Sequence, residues 1–274
     1  MRRALFALLL CALVGAQAPP PAQANFAERR ALLEADRLCR LFDSDIRSAL
    51  EAGAWQARGA LLRGGWTLAR LGELETAAIQ AARARRCGDP RTTEAANRAR
   101  EAFAAWVRLP NMRFPGAERA WTARRVADSS GWLLVQDIPR AGAFGLQEMD
   151  RRSYVALILP LNQGRAPPGA AEIIVRDPLR ARATLFDVPG RQARGLAAGA
   201  PSPAMARRIL ARNRAVETVN GRRRVVFAFP DSVMGEMAAL DPREAAEIRI
   251  GETRFLIEIG DLAAARAFLS AQPR

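Results

Sequence analysis

The sequence predicts an α+β protein: an N-terminal disulfide-stapled α-helical hairpin plus a third helix, then an antiparallel β-rich sandwich or barrel domain with short helices. Three observations predict it. Apolar residues recur at steps of three and four as far as residue 108, the period of a helix face. From Glu118 onward they recur in short alternating runs bounded by Gly, Pro and Asp, the period of strands and turns. Cys39 and Cys87 both lie in the helical part, and no cysteine follows them.

The chain opens MRRALFALLLCALVGAQAPPPAQA, with two arginines, an apolar run and small residues with alanines at alternate positions, the layout of a secretory signal peptide. The run covers residues 4–14, well short of the ~20 residues that cross a bilayer as a helix. Proline directly after the cut would obstruct the peptidase, which places cleavage after Ala24 and not after Ala18. Cys11 follows Leu10 where a lipidation signal would want a small residue, so it belongs to the apolar run. The expected divisions are a leader over 1–24, a helical domain over 25–109, a linker over 110–117 and a β-rich domain over 118–274.

Over 26–62, Ala35, Cys39, Phe42, Ile46, Leu50, Ala54, Ala57 and Leu61 keep the helical step with no proline between them, predicting one helix of about ten turns. Gly64 and Gly65 end it, since paired glycines favour a turn. A second helix over 66–86 returns with Leu71, Leu74, Ala78 and Ala82 inward. An antiparallel hairpin hinged at the glycines brings Cys87 beside Phe42, one turn from Cys39. Export then makes Cys39 and Cys87 a disulfide, because oxidising compartments are where disulfides persist. Gly88, Asp89 and Pro90 supply a C-cap, an N-cap and a first-turn proline for a third helix to residue 108.

Pro110, Pro115 and Gly116 break the helical pattern. The runs ERAWTARRV, GWLLVQDI, AFGLQEM, SYVALIL, AEIIVRD and RATLFDV read as strands. A loop over 189–203 leads to a short helix through Arg212. VETVNGRRRVVFAF places Asn220-Gly221 between apolar runs, a strong hairpin signal. A short helix begins near Asp231, a second hairpin turns near Gly251, and a helix from Leu262, capped by Asp261, closes the chain. This closing order, GETRFLIEIGDLAAARAFL, bears a loose resemblance to the end of invasion-associated locus B-like periplasmic proteins, which implies an exported protein of poorly defined biochemistry. That family tends to carry cysteines in its β domain, where this chain has none.

All 42 basic residues are arginine, with neither lysine nor histidine in the chain, and the formal charge is +14. Missing histidine excludes Ser-His-Asp and Cys-His catalysis, histidine metal sites and histidine proton shuttles. Missing lysine excludes a Walker A loop, a Ser-Lys dyad and Schiff-base chemistry. Carboxylates remain as general acids and bases. Asp231, Glu236 and Asp241 are the candidates for a carboxylate-dependent hydrolase acting on an envelope glycan, since such chemistry uses a carboxyl pair about 5 to 9 Å apart. Asp231 equally suits an N-cap and Asp241 a turn before Pro242.

Two further patterns have structural readings. Asp36, Arg40, Asp43, Arg47 and Glu51 alternate in sign at helical spacing, the pattern of a solvated, salt-bridged face. Met234 and Met237 read as core, so no metal or cofactor is expected. Trp106 and Trp132 sit in apolar patterns, while Trp55 and Trp66 flank the hairpin tip as a partner contact.

The densest feature is basic: seven arginines between positions 207 and 224 against the single acid Glu217. Arg207, Arg208, Arg212, Arg222 and Arg224 are the candidate anion-binding residues, with Arg208 and Arg212 on one helix face and Arg222 and Arg224 on one strand face. Guanidinium groups fork onto phosphate and carboxylate. In an exported protein the matching anions are lipid head groups, lipopolysaccharide or cell-wall polymer. No aromatics interleave with the arginines, which argues against nucleic acid. The expected function is a non-catalytic binding or assembly role at the cell envelope, with an envelope protein or anionic envelope component as partner, and the helical hairpin as a surface for self-association.

Overall fold

The computed structural model describes residues 21–162, 164, 166–177 and 206–271. Four helices come first: α1 (Pro21–Cys39), α2 (Ser44–Arg63), α3 (Leu68–Arg83) and α4 (Pro90–Val107). Then follow β1 (Asn111–Pro115), β2 (Ala120–Arg124), β3 (Trp132–Ile138), β4 (Gly142–Met149), β5 (Arg152–Pro160), β6 (Glu172–Arg176), β7 (Ala206–Leu210), β8 (Asn213–Val219) and β9 (Arg222–Phe229). The chain closes with α5 (Ser232–Ala238), β10 (Ala245–Ile250), β11 (Thr253–Glu258) and α6 (Leu262–Ser270). The α+β class is as the sequence predicts.

The helical half differs in its path. The expected single helix over 26–62 breaks between α1 and α2, where Arg40 takes a left-handed φ of 52°. The break is held by side chains. Asp36 accepts the Phe42 amide at 2.8 Å and binds Arg47 at 2.6 Å, and Asp43 caps α2 by accepting the Ile46 amide at 2.9 Å. The alternating charges are therefore not a solvated ladder, because Asp36 is buried and Asp43 is an N-cap. Two reversals instead of one make α1 and α3 run parallel, with α2 antiparallel between their ends. Phe26 near the start of α1 meets Leu71 near the start of α3, together with Leu61 and Leu62 at the end of α2.

The disulfide pairs Cys39 with Cys87, Cα to Cα 5.4 Å. The pairing is as expected, but the geometry that makes it differs: the bond joins the last residue of α1 to the turn that follows α3, beside the C-terminal ends of two parallel helices, not the two legs of a hairpin. Asp89 caps α4 by accepting the Thr92 amide at 3.1 Å, with Pro90 in its first turn.

In the β half, seven strands form one antiparallel sheet in the order β1-β2-β3-β4-β5-β9-β8, and four form another, β11-β10-β6-β7. Alternate side chains of both meet in one core: Phe114, Trp121, Leu134, Phe144, Leu157 and Phe227 from the larger sheet, Ile173, Val175, Ile248 and Ile257 from the smaller. This is sandwich packing. Polar ties cross it. Trp121 Nε1 donates to the Glu258 carbonyl at 3.0 Å, and Gln136 exchanges two bonds with the Glu258 backbone. The Glu258 carboxylate accepts the amides of Ala117, Glu118 and Arg119.

Three further expectations are corrected. The segment 110–117, expected as a linker, contains β1, which pairs with β2 through five residue pairs; its two prolines lie at the strand's borders, where a lost N–H costs least. The expected short helix through Arg212 is β7, paired with β6 through Ile209 opposite Ile173. Asp261 stands at the N-cap position of α6 but makes no capping bond. The RATLFDV strand and the loop over 189–203 lie outside the described residues, as do residues 1–20 of the expected leader; residues 21–24 open α1.

Helix α6 closes one end of the sandwich, with Phe268 tilted against Phe114 at 5.7 Å and edge-on to Trp106 at 5.1 Å. Its other side packs on α2. There Asp261 takes a bidentate contact from Arg63, at 2.6 and 3.0 Å. Gly59 makes the approach possible, since a Cβ at that position would fall on Asp261 Oδ1.

Candidate functional site

The β8–β9 hairpin turns through Asn220 and Gly221, both left-handed at φ 49° and 73°, as the Asn-Gly pair predicts. Strand alternation then sorts the arginines. Val225 and Phe227 face the sandwich core. Arg222, Arg224 and Val226 share the opposite, outer face. On that face Trp132, Val135, Ala156, Ile158 and Val226 form a separate apolar cluster, with Ala143 and Tyr154 against it.

A shallow groove of about 290 Å³ runs along this face, with Trp132, Ala143, Ile158, Pro160 and Val219 as its apolar lining and Arg222, Arg223 and Arg224 at its edge. Among the described residues no acid lines it. Arg224 is fixed by Glu217, its register partner on β8, through bonds of 2.9 and 2.7 Å. Arg222 and Arg223 are exposed and make no side-chain bond among the described residues. Burial and the nearby Glu217 carboxylate raise the Tyr154 phenol, which donates to Gln147 Oε1. Two free guanidinium groups beside an apolar strip suit an anionic group carried on an apolar or ring-shaped body.

The five arginines singled out in the sequence do not form one patch. Arg222 and Arg224 share the groove. Arg207 and Arg208 lie on β7 of the other sheet, contacting Glu236 at 3.1 Å and Glu172 at 3.8 Å. Arg212 sits in the short link between β7 and β8, donating its amide to the Ala228 carbonyl at 2.7 Å. Arg208 and Arg212 share no helix face, because no helix forms there. Arg223 and Trp132 complete the groove; the period-two step of GRRRVVFAF places Arg223 with the core-facing set, and it reaches the groove from the exposed start of β9.

The three carboxylates weighed for hydrolysis are each engaged or isolated. Asp241 is 3 % exposed and bound bidentately by Arg243 at 2.9 and 2.7 Å. Glu236 holds Arg207, and Asp231 is exposed at the start of α5. Asp241 belongs instead to a buried ionic network: Arg176 grips Glu244 at 2.8 Å through both Nε and Nη2, and Glu244 accepts the Asp241 amide at 2.9 Å. Hydrogen bonding to Glu244 holds the Arg176 guanidinium above its usual value against the burial that lowers it. Among the described residues no three Cys, Asp or Glu side chains gather as a metal site. Met234 and Met237 are buried in the sandwich core.

The tryptophans divide differently from expectation. Trp55 is 43 % exposed beneath Arg58, which lies 5.5 Å from its ring. Trp66 stacks under Arg70 at 3.8 Å and packs against the helical cluster of Phe26, Leu61 and Leu71, while its carbonyl accepts from Arg243. Trp132 is buried on the outer face of the sheet and not in the sandwich core. No described helix is long and apolar enough to cross a membrane. Comparison with protein families, with curated proteins and with solved structures finds no match to this chain.

Proposed function

We propose that the protein is a non-catalytic binding or assembly module of the cell envelope, exported to an oxidising compartment, whose outer sheet face contacts an anionic surface or polymer through Arg222 and Arg223. The observation that carries this reading is the groove edged by three arginines and, among the described residues, lined by no acid. Arg224, tied to Glu217, shapes the groove wall, while Arg222 and Arg223 are exposed and make no side-chain bond among the described residues. The Cys39–Cys87 disulfide supports the compartment, since such bonds are rare where glutathione keeps thiols reduced.

The test is co-sedimentation with vesicles of phosphatidylglycerol in phosphatidylcholine, with lipopolysaccharide, and with an anionic cell-wall polymer, each at low and high salt. A basic residue near an anionic surface contributes about 1 kcal/mol, so Arg222→Glu with Arg223→Glu should weaken binding about thirtyfold or more. Both side chains are exposed, and thermal melting should be unchanged. Binding that survives the double reversal, or that ignores salt, overturns the assignment.

A further inference from the structure

The two ends of the sandwich differ. At one end α5 and α6 follow β9 and β11 and close over the core. At the other, where those strands begin, no helix covers the gap between the sheets among the described residues. A cavity of about 430 Å³ opens there. Its wall is apolar and drawn from both sheets: Leu159 and Val225 from the larger, Ile250 and Phe255 from the smaller, with Leu161 beside them. Its polar members among the described residues are Arg140, Asn162 and Thr253, so the one charge among them is positive. Arg140 sits at the β3–β4 turn with φ 60°, and is exposed with no side-chain bond among the described residues.

The volume falls in the range of small-molecule pockets, about 300–1,000 Å³, and the make-up of a mainly apolar wall with a few polar groups is theirs too. An apolar slot entered past one cation, one amide and one hydroxyl matches a ligand with the complementary order: a single acyl chain ending in an anionic head. We infer that the open end of the sandwich binds a single-chain anionic amphiphile of the fatty-acid type, its chain between the two sheets and its carboxylate at Arg140. The site stands apart from the arginine groove. Among the described residues only Pro160 borders both, and neither Arg222 nor Arg223 lines the cavity.

The experiment is isothermal titration of the full chain with hexanoate, octanoate and decanoate, all below their micelle concentrations, and with decanol and decylamine. Burial of each added methylene should tighten binding about fourfold, so decanoate should exceed hexanoate by more than a hundredfold. Decylamine should bind at least tenfold more weakly than decanoate. Arg140→Asn suits the left-handed turn, so the fold is kept; it should cost decanoate about tenfold and leave decanol unchanged. Leu161→Trp, at a partly buried lining position, should weaken every ligand. An affinity that does not grow with chain length, equal binding of decylamine and decanoate, or loss of decanoate binding in the Arg222→Glu, Arg223→Glu protein would each overturn the inference, the last by moving the anion to the groove.

Discussion

Glu34 holds two arginines from different helices: Arg37 through bonds of 3.0 and 2.8 Å, and Arg83 on α3 at 2.6 Å. Hydrogen bonds from Arg37 and then Arg83 lower its carboxyl from 4.5 to about 2. A group whose folded value is depressed contributes stability that is present above its unfolded value and lost as pH falls through the folded one. The melting temperature should therefore fall between about pH 4.5 and pH 2, and Glu34→Gln should flatten that part of the profile; an unchanged slope in thermal melts would refute the role. Asp261 has the same kind of partner and the opposite shift. Burial is its largest influence and raises its carboxyl, with Arg63 opposing. The difference is one of solvent, since desolvation penalises the charged form. At this scale the cysteine pair was legible, because setting aside Cys11 with the expected leader leaves two cysteines and one pairing. Asp36 was not, because its partners Phe42 and Arg47 become neighbours only after the helix breaks.

Elements with a strong period were read directly. The Asn-Gly hairpin of β8 and β9, the Asp-Pro start of α4, the glycine stop of α2 and the strands β2 to β6, β10 and β11 follow from local chemistry. The failures have local causes as well. The break at residue 40 uses an arginine in a left-handed conformation, with no glycine or proline to announce it. In ARRIL the one core contact is Ile209, too short a run to separate strand from helix. β1 was hidden by the prolines that border it. The staple belongs to this scale, since it fixes α1 beside α3. In the chain-entropy model, closing a loop of this length contributes roughly 4 kcal/mol. Cys39→Ser with Cys87→Ser should lower the urea midpoint accordingly, with α1 and α3 showing the largest gain in amide exchange. Two free thiols in the oxidised, unfolded wild-type chain would contradict the bond.

The whole molecule rests on a contact that no local pattern announces. Arg63 and Asp261 are 198 residues apart, and the glycine that lets their helices approach, Gly59, resembles any other helical glycine in the sequence. Asp261 suited a cap so well that its longer-range partner was invisible. Arg243 adds a second tie through the Trp66 carbonyl. Removing one member of a buried pair leaves an uncompensated charge, at a cost of about 3–5 kcal/mol. Arg63→Met should lower stability by that order in urea unfolding, and should separate the transitions followed by far-UV helicity and by sandwich tryptophan fluorescence. A single unshifted transition would show that the apolar packing of α2 on α6 suffices. The groove was half legible at this scale: Arg222 and Arg224 were placed on one face, but its apolar lining comes from strands distant in sequence.

The parallel arrangement of α1 and α3 also sets how the chain would respond to mechanical load. A pull on the two termini crosses from Cys39 to Cys87 through sulfur, over a Cα separation of 5.4 Å. The bypassed segment would otherwise lengthen by about 160 Å when drawn out at ~3.4 Å per residue. It contains α2, the helix that carries the Arg63–Asp261 contact to the β half. Tension along the backbone therefore bypasses α2, whose contact with α6 is loaded sideways, by shear, while α4, which also meets α6 through Trp106 and Phe268, stays in the line of force.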